Sequence, residues 1–244
     1  EAPKFLAAVS KTLRTALFLG LFVSAMLFVF SYEIVQALNQ YGQFGRADTA
    51  FVSAGLKMFS VGVFAWCCHP ILMRAFFAME DTVTPIVLGT ISTAVFVGLA
   101  FLIPSTPIPR LAVEVLGHRA RDAWSPQWNY AGLALAISIS AIVLFILLVV
   151  FLRRRLGRID GSRLIRCLGI GGGAAVGTGA LAHLANSSVA GVLPDSPAWA
   201  IARTLTVGLG AVWVYLGIGS RLGLEEAGYA LRAIRRRKTT GEDA

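Results

Sequence analysis

The chain has 244 residues, 56% of them hydrophobic and only 14% charged, with a mean hydropathy of +0.71. That leaves too little polar surface to clothe a water-soluble domain, so a soluble globular fold is excluded and a membrane protein is expected. The formal net charge of +9 would suit nucleic acid, but the basic residues gather at the ends of apolar runs instead of along a polar face, which argues against that partner.

A hydrocarbon core about 30 Å thick takes roughly 20 apolar residues per helical crossing. Six stretches approach that length: 15–38, 49–78, 86–103, 130–152, 164–185 and 198–220. None alternates with period two over the length of a barrel strand, so helices are the spanning solution that remains. The expected fold class is all-α, a polytopic bundle of six transmembrane helices. Residues 1–14 would form a cytoplasmic lead-in, 15–220 the bundle and 221–244 a basic amphipathic tail. Arg153, Arg154, Arg155, Arg158, Arg163 and Arg166 fill one connection, and Arg232, Arg235, Arg236, Arg237 and Lys238 fill the tail. The positive-inside rule puts both in the cytoplasm, and an even number of spans puts the start, with Lys4, Lys11 and Arg14, there too. A first residue of Glu1 entering a span almost at once suggests a piece of a longer protein.

In chain order, Glu33 lies near the outer end of the first span, with no partner named by the sequence. Gly42, Gly45 and the Asp48–Thr49 pair then supply a turn and a helix start. The second span is long enough to require tilt or a bend, and Pro70 marks the expected bend. Along it, Ser53, Lys57, Ser60, Phe64, Cys67, Ile71 and Arg74 recur at steps of four and three, which places them on one half-polar stripe. Such a stripe suits a wetted cavity, the alternative being a snorkelling Lys57 with ordinary helix contacts around it. Cys67, Cys68 and His69 are adjacent, but helix neighbours point in different directions and no fourth ligand is evident, so no metal site is expected.

The stretch RAFFAMEDTVTP, residues 74–85, forms the whole inner hairpin. Asp81 and Thr82 are candidates to cap the next helix, and Pro85 fits its first turn, where a missing donor is harmless. Arg74 is placed to pair with Glu80 or Asp81 and lock the hairpin, or to meet an anionic substrate at the inner mouth. Residues 104–129 form a long outer loop with an amphipathic piece at 111–116 and interfacial Trp124 and Trp128. The fifth span carries GIGGGAAVGTGALA and the sixth Gly208, Gly210, Gly217 and Gly219. Small residues favour close helix packing, the alternative being a sliding interface or a lipid-tail groove. His183 and Arg203, near the outer ends of these spans, read as interfacial anchors. In the tail, Leu224, Ala227, Leu231 and Ile234 recur at helical spacing beside arginines, as in a helix lying on an anionic leaflet.

The hairpin also carries a resemblance. Arg74, Phe76, Ala78, Asp81, Thr82, Thr84 and Pro85 fit the inner hairpin motif of the MurJ (MviN) lipid II flippases, with Phe77 where that family usually has Tyr. YGQF followed by RADT resembles the family's outer turn, and GLALAISISAIVLFILLVVFLRRR resembles a later helix ending in arginines. No proline stands near Val23, where the family suggests one. The resemblance implies the carboxy-terminal six helices of a longer protein in the multidrug and oligosaccharidyl-lipid flippase group, forming part of a MATE-like architecture in the bacterial inner membrane. It implies outward movement of lipid II, or of a related polyprenyl-pyrophosphate-linked sugar, by alternating access. The implied partners are that lipid, membrane lipids and the amino-terminal half of the same protein, with no cofactor and no enzymatic step. The hairpin and the half-polar stripe themselves supply the expected substrate or gate residues, Arg74, Glu80, Asp81, Thr82, Lys57, Ser53 and Ser60, while the resemblance implies that the last two helices hold the lipid tail. Other readings are a different polysaccharide-lipid flippase or drug antiporter of the group, or a scaffold that recruits cell-wall enzymes.

Overall fold

A computed structural model describes residues 2–39, 41–103, 130–156, 161–190, 197–224 and 226–228. The long helices among them are α1 (Ala2–Val29), α2 (Ser31–Asn39), α3 (Arg46–Ser60), α4 (Val63–Phe77), α5 (Val83–Leu102), α6 (Tyr130–Leu156), α7 (Gly161–Ala190) and α8 (Pro197–Arg221). Five are long and apolar enough to cross a membrane, and α3 with α4 makes a sixth span broken by 46°. The all-α polytopic bundle therefore stands, with six spans when the bent α3–α4 pair is counted as one. Its first crossing, Phe5–Val29, begins earlier than the hydropathy run suggested, and the chain turns at Phe30 into the short α2. The expected outer amphipathic piece, Trp124, Trp128, Leu231 and Ile234 lie outside the described residues.

α1 runs through the centre, packed against α4 and α7, while α6 gathers α3, α4 and α5, and α8 closes on α7 and α2. The main core sits in the half that carries the arginine cluster, where Leu17, Phe18, Leu72, Phe76, Leu148 and Tyr215 are buried together. Tyr215 ties three helices: its ring stacks on Phe18 at 4.5 Å, and its hydroxyl donates to Phe18 O at 2.8 Å and lies 3.4 Å from Gly171 O. Only part of the glycine content serves such packing. A Cβ on Gly219 would stand 2.9 Å from Phe18, and one on Gly171 or Gly179 would touch α1, whereas Gly172, Gly173, Gly177, Gly208, Gly210 and Gly217 face open space.

The bend in the second span falls at Val61–Gly62, not at Pro70, which lies inside continuous α4. The physical reason is where the released backbone groups find partners, because hydrocarbon offers none. Gly62 N–H donates to Phe59 O at 3.1 Å instead of to the helical acceptor four residues back. This releases Met58 O, and Ser138 Oγ from α6 lies 2.8 Å from it and 3.0 Å from Phe59 O. On the other side of the break, Phe64 N–H donates to Ser24 Oγ of α1 at 3.0 Å. Gly62 lets α6 approach this closely, since a Cβ there would stand 2.7 Å from Ser138 Cα. The break also divides the expected polar stripe between two helices with different axes, so Ser53, Lys57 and Ser60 do not continue in line to Arg74.

Ser138→Ala should lower stability in detergent by about 1 kcal/mol, the scale of one interhelical hydrogen bond in a membrane protein. Gly62→Val should cost more, about 2 kcal/mol, because the added carbon meets backbone. Thermal unfolding of both variants checks the order, and an equal or reversed pair of shifts would contradict this account of the bend.

Candidate functional site

At the arginine-rich end, α4 stops in a tight left-handed turn. Asp81 N–H donates to Phe76 O at 3.1 Å and Glu80 N–H to Phe77 O at 3.0 Å, the two bonds of a Schellman motif. Glu80 occupies the left-handed position at φ +58°, where a side chain costs roughly 1 kcal/mol relative to glycine. Asp81 then caps α5. Its Oδ1 accepts from Thr84 N–H at 3.0 Å and its Oδ2 from Thr84 Oγ1 at 2.7 Å. Thr82 holds the position just before α5 but makes no side-chain cap, so the capping expected of both residues belongs to Asp81 alone.

Asp81 Oδ2 also lies 3.2 Å from Arg155 Nη2, at the end of α6. The amide and hydroxyl of Thr84, and then the Arg155 charge, hold the Asp81 carboxyl below its ordinary range. The hairpin is thus locked to α6 by Arg155, not by the Arg74 partnership expected from sequence. Arg74 is exposed, and no hydrogen bond or ion pair joins its guanidinium to Glu80 or Asp81.

The other expected polar residues lie toward the opposite end. Ser53 and Ser60 are buried, and their hydroxyls donate to carbonyls of their own helix, Ala50 O at 2.9 Å and Lys57 O at 2.7 Å. Lys57 is half-buried, within electrostatic reach of Glu33. The adjacent Cys67, Cys68 and His69 diverge: Cys67 is exposed, Cys68 is buried, and His69 Nε2 donates to Ala141 O at 3.1 Å. No group of three metal-ligating side chains occurs among the described residues.

A buried cluster here escaped the sequence reading. Glu33 Oε1 on α2 accepts from Asn186 Nδ2 of α7 at 2.6 Å and from Arg203 Nη2 of α8 at 3.2 Å. The Arg203 and Glu33 side chains are only 13% and 9% exposed, so Arg203 turns inward and is not the interfacial anchor expected of it; His183 is exposed. Opposite charges at one depth on the first and last spans were the available signal, and nothing in the sequence marked Asn186. A second link, Arg14 Nε to Glu226 Oε1 at 3.2 Å, folds the start of the tail against α1. There Leu224 and Ala227 are buried in the main core and do not lie out on a leaflet.

Six apolar crossings, charged pairs buried between distant spans and a capped hairpin at the arginine-rich end define a polytopic membrane protein. The chain belongs to the MurJ lipid II flippase family, whose model matches residues 1–191. It is 33% identical over 129 residues, 49% of this chain, to a probable lipid II flippase MurJ of Rhizobium meliloti. It is 24% identical over 163 residues, 67% of this chain, to one of Bdellovibrio bacteriovorus, and 33% identical over 73 residues, 30% of the chain, to one of Buchnera aphidicola. These matches span 24%, 27% and 14% of the relatives' own lengths.

Replacing Glu33 by Gln strands a buried guanidinium and should cost about 3 kcal/mol, whereas Glu33→Gln with Arg203→Met should recover most of that loss. Unfolding of the single and double variants measures the difference. For the hairpin the sign follows from a lowered carboxyl pKa: the Asp81 contribution is complete above the ordinary carboxylate value of about 4 and fades as pH falls below it. The protection of the Thr84 amide against exchange, relative to its intrinsic rate at each pH, should therefore hold steady from neutral to mildly acidic pH and fall only below that range, while Asp81→Ala should be poorly protected throughout.

Proposed function

We propose that this chain is the carboxy-terminal part of a flippase that carries lipid II outward across the bacterial inner membrane by alternating access, together with an amino-terminal half. The family match over residues 1–191 carries this reading, and the relatives' names supply the substrate. In it the arginine-rich end faces the cytoplasm, with the bundle running from the first crossing at Phe5 to residue 220 and residues 221–244 forming the tail.

Arg74 is the residue assigned to the pyrophosphate at the inner mouth. Its exposure and the absence of a carboxylate partner among the described residues support that role, since a planar guanidinium already engaged in the hairpin would have to break that pairing first. Asp81, held by Arg155, is the latch that fixes the hairpin while Arg74 is empty. Glu80, in its strained turn, and Thr82, beside the cap, are the positions that would move when the latch opens. Lys57, between Ser53 and Ser60, is assigned a supporting charge on the outward path, balanced by Glu33. The open glycine faces of α7 and α8 suit a sliding polyprenyl tail. Transport of this kind needs conformational exchange and no chemistry on the substrate.

In cells depleted of their own flippase, the full-length protein with Arg74→Ala should fail to support growth. Its purified form should bind lipid II about tenfold more weakly, the loss of one charge-assisted contact. Deletion of the tail after Gly228, which keeps the packed Leu224, Glu226 and Ala227, should leave rescue intact. Rescue kept by Arg74→Ala and lost on tail deletion would instead make the protein a scaffold.

A further inference from the structure

An apolar groove of about 270 Å³ runs between α1, α6 and α7 in the arginine-rich half, floored by Leu17, Phe145 and Leu164. It opens sideways, since its rim residues Val150 and Ile165 are exposed. Arg153 is its one charged lining residue. That side chain lies across Gly161 at the start of α7, where a Cβ would stand 2.6 Å from Arg153 Nη1. The neighbouring arginines are engaged, Arg155 with Asp81 and Arg154 over the Phe151 ring at 5.8 Å. Arg153 makes no hydrogen bond or ion pair among the described residues. The first turn of α7 adds partial positive charge beside it.

A guanidinium at the head of a laterally open apolar groove complements an amphiphile that carries a phosphate and an acyl chain. Hydrocarbon alone leaves Arg153 unanswered, and a soluble anion leaves the groove unfilled. The excess of arginine over acid at this end selects lipids with net negative charge. We propose that the groove holds one anionic phospholipid, with an acyl chain along Phe145 and Leu164 and its phosphate on Arg153. The site faces the bilayer and does not depend on the transport reading, because it needs only the arrangement of α1, α6 and α7.

The test is native mass spectrometry of the full-length protein released from nanodiscs of phosphatidylglycerol and phosphatidylcholine. The wild type should retain one phosphatidylglycerol about fivefold in preference to phosphatidylcholine, the scale of one basic contact near a membrane surface. Arg153→Gln should bind both lipids alike, Arg153→Lys should keep most of the preference, and Val150→Trp should lose the bound lipid by filling the groove. Equal retention of the two lipids by the wild type, or an unchanged preference in Arg153→Gln, would overturn the proposal. Displacement of the retained lipid by added lipid II, in wild type but not in Arg153→Gln, would overturn it too by reassigning the groove to the transported lipid. A flippase-dead Arg74→Ala protein that still retains phosphatidylglycerol would separate this site from the transport function.

Discussion

A carbonyl that loses its helical partner inside a bilayer must find another within the protein, and the architecture turns on how this is arranged at the break between α3 and α4. Met58 O, released by the turn at Gly62, is met by the Ser138 hydroxyl, and Phe64 N–H by Ser24. One short break thus requires a serine from α1, a serine from α6 and a glycine between them. Those three positions bring the central helix, the broken span and α6 into one register. A further hydroxyl link, Ser92 Oγ to Ser140 O at 2.9 Å, holds α5 on the same side of α6. Small polar side chains are the joints of this bundle, as expected where apolar burial does not distinguish helix from lipid.

Charge is allocated with the same economy. Each of three carboxylates joins an arginine on a distant part of the chain: Asp81 with Arg155, Glu33 with Arg203 and Glu226 with Arg14. The pairs sit at the two ends, so they fasten the connections while leaving the middle of the bundle to apolar and hydroxyl contacts. In the Asp81–Arg155 contact the carboxylate is buried while the arginine is exposed. This contact fastens the hairpin to the end of α6. The buried Glu33 pair differs in kind, since either partner alone would be a desolvated charge. It ties α2 to the last two helices, which otherwise present open glycine faces.

Those glycines divide by environment. Gly171, Gly179 and Gly219 meet side chains of α1 or of the tail, and without them the central helix would be pushed away. Gly172, Gly173, Gly177, Gly208, Gly210 and Gly217 leave smooth stretches on α7 and α8 that meet no other described residue. A single composition therefore serves two purposes, close packing on one face and an uncluttered surface on the other.

Length and hydropathy determined the class of fold, because crossing hydrocarbon imposes a helix of a given length wherever enough apolar residues stand together. The same one-dimensional logic located the hairpin at residues 74–85 and its capping aspartate, since a cap depends on neighbours three residues apart. It misplaced the bend, because proline is visible in sequence while the Ser138 hydroxyl that accommodates a break at Gly62 lies on another helix. It could not match Arg155 to Asp81 or Arg203 to Glu33, since partners in a bundle are set by which helices pack together, and hydropathy carries no information about helix order around the bundle. Which polar residues join helices and which stay exposed was decided by the tertiary structure, where distance alone assigns each donor its acceptor.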